Sequence, residues 1–161
     1  MAVKKGLSVT LLVSAIILIV VVTFFLVVWP MISKNTTELH LGNGVFKALI
    51  AADGPSRAKG LSGSPELESD AALMMAYPYD SKWTIIANND YSYKVDIVWL
   101  SADKKVVYFV RNVQHDLEST NSYVPKYPAK YVIELPAGAI LDQSIKLNSV
   151  AEFKFNSSIG N

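Results

Sequence analysis

The side chains best suited to chemistry are few and scattered along the 161 residues. Asp96 lies inside an apolar run, Val95-Asp96-Ile97-Val98-Trp99-Leu100. A carboxylate in such a run must find hydrogen-bond donors or take up a proton, and functional sites are often built that way. Asp96 serves equally as a structural acceptor, bonded to a neighbouring backbone or to Arg57. Arg57 stands in Arg57-x-x-Gly60-Leu61, where its planar fork suits a carboxylate, internal or from a ligand. His115-Asp116 offers a base beside an orienting acid, but adjacent residues rarely present their side chains to one another. No nucleophile elbow accompanies them, and they read as a loop after a strand. Asp96, Arg57 and His115 are the weak catalytic candidates. Asn88, Asn89, Asp90 and Tyr91 form an oxygen-rich stretch suited to a cation or a sugar hydroxyl, and equally to a plain turn. They are the weak ligand-binding candidates.

Other signals count against particular classes. His40 and His115 are distant and have no spaced carboxylate partner, so no metal site is expected. Cysteine is absent, which removes disulfides, thiolate metal sites and a cysteine nucleophile. No cofactor is expected. Tyr77, Tyr79, Trp83, Tyr91 and Tyr93 make an aromatic-rich region that suits a glycan or peptide surface, or core packing. Glu134, in the stretch KYVIELPAG (130–138), has no partner visible in the sequence and reads as part of a framework strand ended by Pro136 and Gly138. Sequons at Asn35 and Asn156 matter only in a host that glycosylates exported proteins.

The elements that must position these residues divide at the N-terminal end. From Gly6 to Ser33 no side chain is charged, and Leu7–Trp29 is a 23-residue, mostly apolar run. As a helix it is roughly 35 Å long at ~1.5 Å per residue, enough to cross a bilayer core. A cleaved signal peptide would have a shorter apolar region and small residues at its end. Here the run ends in Val27-Val28-Trp29-Pro30-Met31. An uncleaved anchor is therefore expected. Lys4 and Lys5 precede it, which puts the N-terminus in the cytoplasm and the rest outside the cell membrane. The Lys4-Lys5-Gly6 leader also suggests a pilin-like subunit, although Leu11 stands where such leaders carry Glu.

The expected organisation is a cytoplasmic stub (1–6), a transmembrane helix (7–29), a linker (30–37), an extracytoplasmic β domain (38–156) and a tail (157–161). Without Lys4 and Lys5 the 15 basic residues fall to 13, against 14 acidic ones. That balance gives no footprint for nucleic acid. Strand patterns run through Val45–Ala51, Val95–Leu100, Val106–Val113 and Tyr131–Leu135, with Ala151, Phe153 and Phe155 sharing one face near the end. Ser101–Lys105 has hairpin-loop chemistry. Short helical turns are expected at Asp53–Leu61, ended by Gly60, and at Ser64-Pro65-Glu66-Leu67. These signals predict an all-β fold, a jelly-roll-like sandwich or barrel with one or two short helices.

Four stretches taken in order carry a family resemblance. They are Arg57-Ala58-Lys59-Gly60-Leu61; Ala72-Leu73-Met74-Met75; Val95–Leu100 with Val106-Val107 after the turn; and Pro128-Ala129-Lys130-Tyr131-Val132-Ile133-Glu134-Leu135-Pro136-Ala137-Gly138. Over roughly residues 38–155 the chain resembles the prokaryotic domain-of-unknown-function family 192. That family's pattern runs R-x-x-G-L-M, G-M-L-F, W-M-K-N-T-x-x-P-L-D-I and Y-V-L-E-L-P-A-G. The resemblance implies a compact, mostly β domain of jelly-roll type, often exported or membrane-attached, with no established activity, substrate or cofactor. The chain departs from the pattern at Ala87–Tyr91, where the aromatic, Lys and Thr are gone, and at Lys94, where Pro is usual. Some members carry cysteines near Val113–Tyr127, and a usual Gly-Asp is here Asn148-Ser149.

The function expected from these observations is a membrane-anchored binding or envelope-organising module whose partners are the bilayer and an envelope protein or glycan. The competing reading is a hydrolase-like envelope enzyme using Asp96 with Arg57 or His115. The two part on whether Asp96 and Arg57 converge on one concavity.

Overall fold

The computed structural model describes residues 3–24, 26, 35–87, 92–114 and 121–155; for residues 3–8 and 10 it describes the backbone alone. Two compact units emerge, residues 1–35 and 36–161. The first contains helix α1 (Val3–Thr23), 21 residues long. Its side chains from Leu11 to Val22 are open, including Leu11, Ile16, Leu18 and Val20. Two of its hydroxyls fold back onto the helix: Thr23 Oγ1 donates to the Ile19 carbonyl at 2.6 Å and Ser14 Oγ to that of Leu11 at 3.4 Å. Among the described residues no helix is long and apolar enough to cross a membrane.

The second unit is mostly β structure. Its strands are β1 (Thr36–Leu41), β2 (Gly44–Ala51), β3 (Ala71–Ser81), β4 (Ile85–Ile86), β5 (Lys94–Leu100), β6 (Val106–Gln114), β7 (Ser122–Tyr123) and β8 (Ala129–Pro136). Helices α2 (Gly54–Lys59) and α3 (Ala139–Asp142) are short. A six-stranded sheet has the order β1-β2-β3-β8-β5-β6, and β4 pairs with β7 in a separate ribbon. Of the pairs in these sheets, β2–β3 alone is parallel. A parallel pair needs a crossover, and residues 52–70 supply it with α2 inside.

The sheet is packed on both faces, and this decides where every side chain on it points. From Val45 to Ile50 β2 alternates: Phe46, Ala48 and Ile50 are buried, while Val45, Lys47 and Leu49 are exposed. In the central strands both sets are buried, so β5 is buried from Val95 to Leu100 and β8 from Tyr131 to Leu135. One face carries Leu39, Phe46, Met74, Val98, Ile133 and Leu135, with Ile140 of α3 and Phe153 packed against them. The other face carries Leu73, Met75, Ile97, Trp99 and Val132, with Leu61 after α2 and Ile85 of the ribbon.

The all-β expectation agrees with this architecture. Closure into a barrel does not occur among the described strands. The C-terminal stretch makes isolated bridges to both sheet edges, His40 to Glu152 and Lys105 to Val150. Ala151 and Phe153 are buried as their pattern predicts, but without a continuous ladder. The helical turn expected at Ser64–Leu67 is absent. The chain there has already turned at Gly63, with φ at +70°, and then runs without helix to Glu68. Residues 36 and 37, expected in the linker, begin β1 instead. The β1–β2 turn uses Gly42 at φ +62°, the positive value that a two-residue hairpin loop needs at its first central position.

Candidate functional site

Asp96 is fully buried, and both of its oxygens are occupied. Strand β6 bulges opposite it: Val95 pairs with Val113, but Ile97 pairs with Val110. The extra residue leaves Asn112 at φ +53° with an N–H turned out of the ladder. Asp96 Oδ1 accepts that N–H at 2.8 Å, and Oδ2 accepts the N–H of Ile140 at 2.9 Å. The second bond satisfies a first-turn donor of α3, which has no side-chain cap of its own. Asp96 thus ties a bulge to a helix start.

Arg57 comes from α2. The helix begins where Asp53 Oδ1 accepts the N–H of Ser56 at 2.8 Å and Ser56 Oγ accepts the N–H of Asp53 at 3.3 Å. Gly60, at φ +51°, ends it. Arg57 Nη1 donates to the carbonyls of Ala52 and Ala76, and the guanidinium lies 5.0 Å from the centre of the Tyr77 ring. The carboxylate partner expected for Arg57 is therefore replaced by two backbone carbonyls and an aromatic face.

The expected convergence of Asp96 with Arg57 does not occur. Asp96 pairs across to Leu135, so it shares a face with Val98 and Ile133. Tyr77, under the Arg57 guanidinium, packs with the opposite face. Period-two alternation on a sheet places the two groups on opposite sides. His115, the other expected partner, lies outside the described residues, as do Asn88, Asn89, Asp90 and Tyr91.

Glu134 lines one concavity with Arg57. On β8 it pairs with Leu73 on one side and Ile97 on the other, so it points into the face that α2 and the ribbon cover. It is 1% exposed, and its Oε2 has no hydrogen-bond partner. Burial alone pushes its carboxyl up from the usual range to about 7. A pocket of about 220 Å³ opens beside it, lined by Glu134, Arg57, Tyr77, Met75, Ile85 and Ile86, with Ala58 at its rim. Burial also pushes the Tyr77 phenol up, partly opposed by Arg57. Trp83 stacks on Tyr77 at 4.0 Å with the rings 13° apart. Trp83 is held in turn by its carbonyl, which accepts Trp99 Nε1–H at 2.8 Å, and by its own Nε1–H bonded to Tyr79. Of the other expected aromatics, Tyr79 is exposed and tilts on Trp83, while Tyr93 donates to the Ser64 carbonyl.

Glu134 is thus the residue that sequence reasoning passed over. The available signal was Val132, an apolar neighbour on the same face, which marks that face as covered. A second concavity of about 450 Å³ lies at the sheet edge, where His40 Nε2 meets Glu38 Oε1 at 2.7 Å beside Glu152 and Lys154. Among the described residues no group of three acidic, histidine or cysteine side chains could hold a metal ion.

Comparison with known proteins points to the same domain. No curated protein matches the chain. Two solved structures share the fold. One is a protein of unknown function from Novosphingobium aromaticivorans, with TM-score 0.64 and 19% identity, over 73% of this chain and 83% of that one. The other is a Sinorhizobium meliloti protein whose name suggests a transcription regulator, with TM-score 0.63 and 19% identity, over 73% of this chain and 92% of that one. The model of DUF192, described as Uncharacterized ACR, COG1430, matches residues 37–153. Arg57 and Glu134, from the two stretches that resemble that family's R-x-x-G-L-M and Y-V-L-E-L-P-A-G, line one pocket, and the chain belongs to the DUF192 family.

Proposed function

We propose that this protein is a membrane-held β domain that binds a small ligand in the pocket beside Glu134. The observation that carries the binding reading is the unpartnered Oε2 of a carboxyl that is 1% exposed. A buried polar atom without a partner costs about 1–3 kcal/mol. Such a group is a standing reason for a ligand that supplies the missing bond. The pocket has the usual make-up of a small-molecule site, apolar walls with a few convergent polar groups, on a small scale.

Membrane attachment rests on the uncharged run from Gly6 to Ser33 and on the open apolar side chains of α1. Lys4 and Lys5 favour a cytoplasmic N-terminus and a domain on the outer side, where an envelope component would be the ligand. A second reading, an envelope enzyme, is favoured by one observation: a carboxyl titrating near 7 is matched to proton transfer at neutral pH. In that reading Glu134, not Asp96, is the acid–base group beside Arg57.

The test uses the full chain in nanodiscs and ligand-observed NMR with a library of small polar fragments. Ala58→Trp places a large ring at the pocket rim. Fragments that bind the wild type and are lost in A58W support the reading. Binding that A58W leaves intact, or no binding at all, overturns it. For attachment, the protein should stay with membranes through alkaline carbonate extraction, and release into the supernatant would refute the anchor.

A further inference from the structure

The charge and shape of the pocket go further than a generic ligand. Arg57 brings a guanidinium, a cation with five N–H donors. Two of its five N–H groups go to the Ala52 and Ala76 carbonyls, leaving those on Nη2 and Nε for another acceptor. Among the described residues it has no carboxylate within ion-pair distance. A protonated Glu134 is a second donor into the same space. Both side chains line the same concavity of about 220 Å³, a space on the scale of one small group. The remaining lining includes Met75, Ile85, Ile86 and Ala58, which suit an aliphatic chain.

The geometry points to a short aliphatic carboxylate anion as the ligand, taken up together with one proton on Glu134. This rests on the binding reading above. The anion accepts from the free guanidinium N–H groups of Arg57 and from the Glu134 carboxyl, and its chain lies on Met75, Ile85 and Ile86. The proton comes from solvent as the anion enters, because two carboxylates cannot share the site unprotonated. A ligand cation would instead face Arg57, and a neutral polyol would leave that charge without a counter-ion. The groups around Glu134 leave it the natural titrant. Burial pushes the Tyr77 phenol of β3 up, away from neutrality. β5 presents Ile97, with Asp96 on the far face. β4 presents only Ile85 and Ile86, preceded by Thr84. Lys59 of α2 is exposed, and Lys130 lies four residues along β8, roughly 13 Å away.

Butyrate, butyramide and butylammonium are the probes, titrated calorimetrically into the full chain in nanodiscs at pH 6, 7 and 8. Butyrate should bind best, and its affinity should fall about tenfold from pH 6 to pH 8, following the protonated fraction of a group near 7. In buffers of different ionisation enthalpy, about 0.5 proton should enter per butyrate at pH 7 and about 0.9 at pH 8. Glu134→Gln keeps an N–H donor but cannot titrate, so it should still bind butyrate with a flat pH profile. A flat or inverted profile in the wild type overturns the inference. So does an unchanged profile in E134Q, or a preference for butyramide or butylammonium. If the fragments blocked by A58W include no carboxylate, the inference fails while the binding reading stands. If A58W blocks nothing, both fail.

Discussion

Replacing Glu134 by Gln removes a buried ionisation at nearly constant volume, and the consequence for stability has a definite sign. Burial raises the folded-state carboxyl from 4.5 to about 7, whereas the unfolded chain returns it to the ordinary value. Below pH 4.5 both states hold the proton and the ionisation costs nothing. Between 4.5 and 7 the folded state holds the proton and the unfolded state does not, so stability falls as pH rises. Above 7 the loss is complete. The interval is 2.5 pH units, and at about 1.36 kcal/mol per unit the wild type loses about 3 kcal/mol. Gln cannot titrate, so its difference from the wild type should shift in its own favour by that amount between pH 4.5 and 8. Any fixed cost of the amide is the same at every pH and drops out. Urea denaturation of both full-length proteins across this range, with the slope m held constant, measures the shift. Parallel profiles would refute the reasoning, because they would mean that the carboxyl is solvated or partnered in the folded state.

Two further perturbations test the framework. Asp96→Ala leaves the N–H groups of Asn112 and Ile140 without acceptors and should cost about 4 kcal/mol; Asp96→Asn, which keeps one acceptor, should cost about half. Urea midpoints decide this, and a loss below 1 kcal/mol for D96A would show that neither bond matters. Gly42→Ala should cost about 3 kcal/mol by thermal unfolding, since a Cβ there falls 2.2 Å from the Gln143 carbonyl oxygen at a φ of +62°. A melting temperature unchanged from wild type would mean that the turn has moved.

How far the fold could be read from the sequence varied with how each strand is covered. β2 was legible because its Lys47 face meets solvent, so the hydrophobic period of two is visible. β3 was not recognised as a strand, because Ala72 to Ala76 is buried on both sides and shows no alternation. Its Pro78 added a breaker signal, yet it falls within the register shift between Ala76 and Ser81, where a strand tolerates proline. Thr36 and Thr37 of β1 looked like linker because they are polar and lie at a sheet edge. Glu134 was rightly placed on a framework strand, but its burial was hidden for a related reason. The alternation of Tyr131, Ile133 and Leu135 against Val132 and Glu134 was correct, but the second face is not open. Its cover comes from Arg57, Tyr77 and Ile85, 134 − 85 = 49 or more residues away in sequence, which local pattern does not register. Asp96 was legible as a buried acceptor, but its donors, Asn112 and Ile140, were not, because one depends on a bulge and the other on a short helix.

The position of β8 has a consequence for how the chain assembles. It is the last strand in sequence, yet it lies between β3 and β5 in the middle of the sheet. Until residues 129–136 emerge, the chain can form only two half-sheets, β1-β2-β3 and β5-β6, whose facing edges bear unpaired backbone groups. Insertion of β8 is therefore the keystone step, and it carries a carboxyl into an apolar interior as it closes both ladders. A nascent or truncated chain that lacks this segment presents a slot shaped for one strand. The same strand from a second copy fits that slot, so exchange of β8 between copies is the characteristic misassembly of this topology.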